Sequence, residues 1–197
     1  MKKDGKDYYY KKAKKEKYRS RASYKLKQIN AKYKLIKNGD KVLDLGAAPG
    51  GWTQVAREVV GSNGLVVAVD LQEIKSFENE NIIILQGDFT EAKTLERIKD
   101  ISQSYDVIIS DASPKISGVW DIDHFRSIEL CENVLKIAKE VLKPGGNLVV
   151  KVFQGSEIDN FIKKIRRSFK YVKVTKPKAS RKKSSEVYVI GKGFGLS

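Results

Sequence analysis

Lys41-Val42-Leu43-Asp44-Leu45-Gly46-Ala47-Ala48-Pro49-Gly50-Gly51-Trp52-Thr53 decides the fold. Val42 to Leu45 is a short apolar run that reads as a strand. Small residues and glycines end it, and a helical pattern runs on from Trp52 to Val60. Strand, tight glycine turn, helix is how α/β proteins build a nucleotide-type pocket. The glycines let the backbone take positive φ and approach a ligand closely, and the helix start aims its free N–H groups into the same space.

The ligand can be narrowed by elimination. The dinucleotide fingerprint fails because Ala48 stands where its second glycine belongs. A phosphate loop fits from Gly46 to Thr53 except at Trp52, where a lysine should reach the phosphates. What remains is a nucleoside without a phosphate tail. S-adenosylmethionine fits, with its adenosine and its zwitterionic amino-acid end. The plainer alternative is a βα turn whose glycines serve packing only, and the acids downstream argue against it.

Outward from this turn the chain alternates. Leu65 to Asp70, Asn81 to Leu85, Tyr105 to Ser110 and Asn147 to Val152 are apolar on both faces, as buried parallel strands are. Tyr171 to Thr175 and Glu186 to Ile190 complete seven strands. Helices are expected from near Ser20, with Ala22, Leu26, Ile29 and Tyr33 facing the core, and over 91–101, 127–141 and 156–169. Residues 112–126 read as a long loop, with His124, the single histidine, as a surface residue of it. The βαβ alternation argues a mostly parallel sheet with helices on both faces. No helix fits between residues 176 and 185, so the last strand should return antiparallel.

At 197 residues the chain reads as one domain over 19–197, preceded by a basic, flexible tail over 1–18. The one cysteine, Cys131, excludes an internal disulfide and reads as a packed small residue. No apolar run has the length of a membrane span, and no apolar stretch follows the N-terminal lysines, so a cytoplasmic protein is expected. No group of Cys, His or acidic residues has metal-ligand spacing, so no metal is expected. The formal charge of +15 is uneven: residues 1–34 carry +11 and residues 163–183 carry +11, leaving −7 for the rest. Two basic segments around a mildly acidic middle point to a polyanion. Tyr8, Tyr9, Tyr10, Tyr18 and Tyr24 among the lysines add rings on which unpaired bases can stack.

In such sheets ligands sit at the carboxyl ends of the strands. There the sequence places the glycine turn, Asp70, Asp88 and Asp111 in succession, with Lys151 near the end of the fifth strand. Asp70 is spaced to take a ribose diol, and Asp88 is placed to accept from an adenine amino group. Asp44 is nearer the turn and is expected to order the loop.

The stretch Asp44 to Thr53 resembles motif I of class I methyltransferases. Ser20-Arg21-Ala22-Ser23-Tyr24-Lys25-Leu26, Asp111-Ala112-Ser113-Pro114 with Ser117-Gly118, and Lys176-Pro177 with Ser180-Arg181, Ser184 and Glu186-Val187-Tyr188 narrow the resemblance to the FtsJ/RrmJ-like ribosomal RNA 2′-O-methyltransferases. The likeness runs from about Arg19 to the C-terminus. It implies a Rossmann-like seven-stranded fold and a catalytic tetrad at Lys25, Asp111, Lys151 and Glu186. S-adenosylmethionine contacts are implied at Gly50, Trp52, Asp70, Asp88 and Asp111, with Gly46 and Phe89 completing the expected set. Where an aromatic is expected after Ala22, this chain has Ser23, with Tyr24 next to it. The implied substrate is a ribose 2′-hydroxyl, most simply of a uridine in large-subunit ribosomal RNA, with transfer RNA as the alternative. The implied partner is the ribosomal RNA or the large ribosomal subunit, met by a monomer. A dead methyltransferase fold kept as an assembly factor is the non-enzymatic alternative, and the intact tetrad argues against it. Lys151 has two open roles: accepting the hydroxyl proton, or orienting the hydroxyl and balancing oxyanion charge.

Overall fold

The structure is a computed structural model and describes residues 5–195. Seven strands, β1 (Lys41–Leu45), β2 (Leu65–Asp70), β3 (Ile82–Gln86), β4 (Tyr105–Ser110), β5 (Leu142–Phe153), β6 (Phe169–Thr175) and β7 (Glu186–Phe194), form one sheet in the order β3-β2-β1-β4-β5-β7-β6. All neighbours run parallel except β7, which is antiparallel to both β5 and β6. β2 and β4 have the bounds read from the sequence. The order reverses between β1 and β4, so the crevice of the sheet opens beyond Leu45 and Ser110.

Alternate residues of each strand enter opposite layers. Leu43, Leu45, Val67, Ile108, Leu148 and Val150 pack under α4 (Ala92–Ile101), α5 (Trp120–Val141) and α6 (Ile158–Arg166). Val42, Val66, Val107, Ile109, Val149 and Tyr188 pack under α2 (Ser23–Tyr33) and α3 (Gly51–Val60). The first helix of the chain, α1 (Gly5–Lys15), lies outside both layers.

Four expectations are corrected. Residues 1–4 of the expected tail lie outside the described residues, but residues 5–15 are helical. The helix is docked: Ala13 is buried against Tyr24 and Ala179, and the Gln28 amide donates to the Tyr9 hydroxyl at 3.0 Å. Lys11, Lys14 and Lys15 are exposed, so charge along the segment did not prevent packing. Next, α2 begins at Ser23, not near Ser20: Ala22 is its N-cap, and the Ser23 hydroxyl bonds the Gly51 carbonyl at 3.0 Å.

The third correction concerns α5, which begins at Trp120, so the loop after β4 is only nine residues, 111–119. Asp123 anchors that loop, accepting from the Ser117 N–H at 2.7 Å, the Ser117 hydroxyl at 2.8 Å and the Gly118 N–H at 3.2 Å. His124 is therefore neither on a loop nor on the surface. It is 1% exposed; Nε2 accepts from the Glu157 N–H at 3.0 Å, which puts the ring proton on Nδ1, 3.1 Å from the Phe153 carbonyl. The ring holds the turn that leaves β5. Finally, β5 starts early at Leu142 and bulges over Lys143 to Gly146, its register with β4 jumping between Tyr105 and Val107. α6 ends at Arg166, three residues short of the expected end.

Candidate active site

Lys151 and Phe153 are two apart on β5, so they share a face. Opposite them in the antiparallel register stand Tyr188 and Glu186. That face looks toward α2, which delivers Lys25, and Asp111 follows the last residue of β4. Four sequence-distant groups thereby meet. Lys151 Nζ donates to the Asp111 main-chain oxygen at 2.7 Å and lies 3.3 Å from Asp111 Oδ1 and 3.7 Å from Glu186 Oε1. Lys25 Nζ lies 3.1 Å from Glu186 Oε2 and 4.0 Å from Asp111 Oδ1.

The cluster is half-sunk. The Lys151 side chain is 6% exposed and that of Glu186 23%. Burial pushes the Glu186 carboxyl up, but Lys25 and Lys151 outweigh it, and the net position is below the ordinary carboxylate value. Two ammonium and two carboxylate groups leave the cleft near neutral. Cys131, buried behind it, donates to the Lys151 carbonyl at 3.0 Å; burial pushes its thiol up to about 12, so it supplies packing and no nucleophile.

A fifth side chain belongs to this group. The Tyr188 hydroxyl donates to Asp111 Oδ1 at 2.7 Å, and its ring lies 5.6 Å from the Trp52 ring. Burial first, then the Asp111 carboxylate, hold its phenol well above the ordinary value, so it is a fixed donor. Sequence reading gave Tyr188 no role, although its period-two spacing from Glu186 places both on one face.

Beside the cleft is the glycine turn. Gly46 has φ +75°, and a Cβ there would meet the Ala112 Cβ at 2.5 Å, so the ends of β1 and β4 close only around glycine. Gly50 has φ +104°, and a Cβ there would meet Phe77 at 2.7 Å and the Arg19 guanidinium at 3.1 Å. Arg19 is the second residue the sequence did not single out. It donates to the carbonyls of Lys75 and Ser76, each at 2.6 Å, and of Pro49 at 3.3 Å, and it lies over the Phe77 ring at 3.5 Å. One side chain thus ties the turn to the loop after β2. Its partners are 30 to 57 residues away, so no local pattern could reveal them.

Carboxylates line the rest of the rim. Asp70 Oδ2 accepts from the Ala48 N–H at 2.9 Å, and its Oδ1 accepts from the Gln72 N–H at 2.8 Å. Asp88 Oδ1 accepts from the Thr90 N–H and hydroxyl at 2.8 and 2.7 Å. Asp44 is fully buried; Oδ2 accepts from the Thr53 hydroxyl at 2.7 Å, and Oδ1 has no partner among the described residues. It bonds a helix side chain, not the loop backbone expected of it. Burial, with smaller contributions from Asp111 and Asp70, pushes its carboxyl up to about 7.

The side chains of Trp52 and Phe89, two residues of the expected cofactor set, are buried. The Trp52 indole is 3% exposed in the α2–α3 layer and donates to the Ala22 carbonyl at 2.9 Å. Its main chain lies in the first turn of α3, which follows the glycine turn. Phe89 is 8% exposed and packs in the opposite layer with Leu85 and Val69. An indole and a phenyl ring gain more from these layers than from a wet rim.

The profile of the FtsJ-like methyltransferases matches residues 18–194. A protein of Archaeoglobus fulgidus named ribosomal RNA large subunit methyltransferase E is 59% identical over 192 residues, covering 98% of each chain. Its namesake from Methanothermobacter thermautotrophicus is 58% identical over 189 residues, 95% of this chain and 90% of its own. A solved structure from Plasmodium falciparum superposes with a TM-score of 0.80 at 29% identity, covering 90% of this chain and 98% of its own. Aeropyrum pernix fibrillarin with natively bound S-adenosyl-L-methionine, at 16% identity and a TM-score of 0.58 over 80% of this chain and 68% of its own, shares the fold. With its tetrad converging beside the glycine turn, and with these relatives, the chain belongs to the FtsJ-like methyltransferase family.

Proposed function

We propose that this chain transfers a methyl group from S-adenosylmethionine to a ribose 2′-hydroxyl of large-subunit ribosomal RNA, at a uridine. The observation that carries the reading is the single cleft holding Lys25, Asp111, Lys151 and Glu186 next to the glycine turn. The names of the two relatives described above support the ribosomal substrate over transfer RNA. The same reading includes a monomer acting on the large subunit in the cytoplasm; no helix among the described residues is long and apolar enough to cross a membrane.

The rim fits the cofactor. S-adenosylmethionine carries positive charge at its sulfonium and ammonium groups, and the turn meets it with Asp44, Asp70, Asp88 and Asp111. The unpartnered Asp44 Oδ1 is a buried carboxyl oxygen that the described residues leave without a donor. When bound, the cofactor supplies an electrophilic methyl group for in-line displacement. The protein's own work is positioning and charge. Lys151 Nζ, with Asp111 as its anchor, donates to the ribose oxygen and keeps a lone pair on the methyl carbon. Lys25 holds Glu186 ionised, and Tyr188 fixes Asp111. As the ribose oxygen takes the methyl group that a bound cofactor would supply, its proton would pass to water, so that the charge left on the oxygen would fall to Lys151 to balance. Lys151 is thus an orienting cation and the sink for oxyanion charge.

The direct test incubates the purified protein with methyl-labelled cofactor and separated ribosomal and transfer RNA, then maps alkali-resistant linkages. Label in a 2′-O-methyluridine of the large ribosomal RNA is expected. Label only in transfer RNA moves the substrate, and RNA binding without transfer leaves the assembly-factor reading. A second measurement addresses the rim. Asp70→Ala should weaken cofactor binding by roughly 10- to 100-fold, since it removes a ribose acceptor and the anchor of the Ala48 N–H. RNA affinity should hardly change. Calorimetry on both ligands checks this, and equal losses would contradict the role of Asp70.

A further inference from the structure

The two basic segments are 130 residues apart in the chain and meet in the fold. Ala13 of α1, Tyr24 of α2 and Ala179 of the 176–185 loop form one buried contact. Gln28 bridges them, donating to Tyr9 and accepting from the Ala179 N–H at 2.9 Å, while Arg21 donates to the Ala179 carbonyl at 2.9 Å. Docking of α1 against α2 leaves a groove of about 330 Å³, lined by Tyr8, Tyr9, Lys12, Tyr24 and Lys27 among others. That volume is at the small end of ligand sites, roughly 300–1,000 Å³, and suits a single nucleotide.

We infer that this groove holds an unpaired nucleotide of the substrate RNA next to the methylated one, its base stacked on Tyr8 and its phosphate between Lys12 and Lys27. This rests on the proposed RNA substrate and adds where the strand runs. Tyr8 is 58% exposed, a high value for a large ring in a docked helix. Lys12 Nζ lies 6.0 Å from the Tyr8 centroid and 5.1 Å from that of Tyr24, so ring and cation already face one space. Glu16 also lines the groove, but its carboxylate takes the Tyr24 hydroxyl at 2.6 Å and lies 3.8 Å from Lys12. Lys27 sits over the Tyr18 ring at 4.3 Å and 3.3 Å from Glu58. The groove and the tetrad share α2: Tyr24 lines the groove, and Lys25, the next residue, enters the tetrad. Lys178, Arg181, Lys182 and Lys183 are exposed on the loop that carries Ala179 and add positive charge for a phosphate chain. Stacking is indifferent to sequence but requires bases free of pairing.

The test titrates fluorescein-labelled oligouridine and a duplex of equal length into wild type, Tyr8→Ala, Lys12→Gln and Tyr10→Ala. Tyr10 is equally exposed, at 61%, on the same helix but outside the groove. Tyr8→Ala should weaken single-strand binding about tenfold. Lys12→Gln should reduce the slope of log affinity against log salt by about 0.7. Tyr10→Ala should match wild type. The inference fails if Tyr8→Ala binds as wild type does, if Tyr10→Ala loses as much, if the duplex binds as tightly with the same sensitivity to Tyr8, or if wild type does not bind the oligonucleotide. Helical circular dichroism confirms that each variant is folded. Because the readout is binding, a wild type that binds through Tyr8 but transfers no methyl sinks the proposed reaction and leaves the groove. Transfer with Tyr8-independent binding sinks the groove alone.

Discussion

Lys151→Ala is expected to abolish methyl transfer, lowering kcat by at least about a thousandfold, while cofactor affinity stays the same or tightens slightly. The asymmetry follows from charge. Lys151 is 6% exposed and is the cation nearest Asp111 in the cleft. Removing it takes away the donor for the ribose oxygen. It also leaves Asp111 and Glu186 opposite Lys25 alone, so the cleft turns negative where oxyanion charge must develop. A cationic cofactor meets that change as a small gain. Alanine also empties space beside Tyr188, the cross-strand partner of Lys151, so lost packing must be separated from lost charge. Lys151→Met keeps the volume without the charge and should be as inactive as alanine but more stable. Single-turnover assays and calorimetry with the cofactor measure the two quantities. Turnover near wild type in the methionine variant would remove Lys151 from the reaction.

Much of this site was legible before the fold was known, for a specific reason. A parallel strand buried on both faces reads as an unbroken apolar run, so a charge at its end stands out. Asp70, Asp111 and Lys151 were found this way, and the bounds of β2 and β4 are those expected. The tetrad drew on motif resemblance, because no period links Lys25 on α2 to Glu186 on β7. The failures have equally local causes. Pro114, Gly118 and the polar residues after Trp120 mimic a long loop, yet Asp123 bonds backward to Ser117 and Gly118 and starts α5 seven residues early. His124 was misplaced with it. In α1 the density of lysine hid that Ala13 and Tyr9 share the side turned to Gln28 and Ala179, 151 residues further along. Trp52 occupies the place of a phosphate-loop lysine and invites a ligand role, but its indole closes the layer between α2 and α3. Arg19 was invisible because what it clamps is backbone carbonyls, which carry no sequence signal.

Asp44→Asn should separate the stability of the protein from its grip on the cofactor. The folded state raises this carboxyl from its ordinary 3.8 to about 7. Across that interval the folded protein keeps a proton that the unfolded chain has released, so stability contributed below pH 4 is lost as pH climbs toward 7. The loss is on the order of 4 kcal/mol at most. Asparagine does not titrate. Its carbonyl keeps the hydrogen bond from Thr53, and its amide replaces the unpartnered Oδ1 much as the protonated acid does. Without cofactor, the variant should therefore lie closer to wild type at pH 5 than at pH 8, where it should melt at a clearly higher temperature. With cofactor the order reverses. A cationic cofactor bound near Asp44 would favour the ionised carboxylate, so wild type should then bind more tightly as pH rises toward 7 and release a proton on binding. The variant should bind at least about tenfold more weakly at pH 8 and lose the dependence. Melting curves at the two pH values, and calorimetry in buffers of different ionisation enthalpy, read both halves. Parallel melting curves would return Asp44 to an ordinary carboxylate. Tight, pH-dependent cofactor binding by the variant would assign the cation to Asp70 and Asp111 alone.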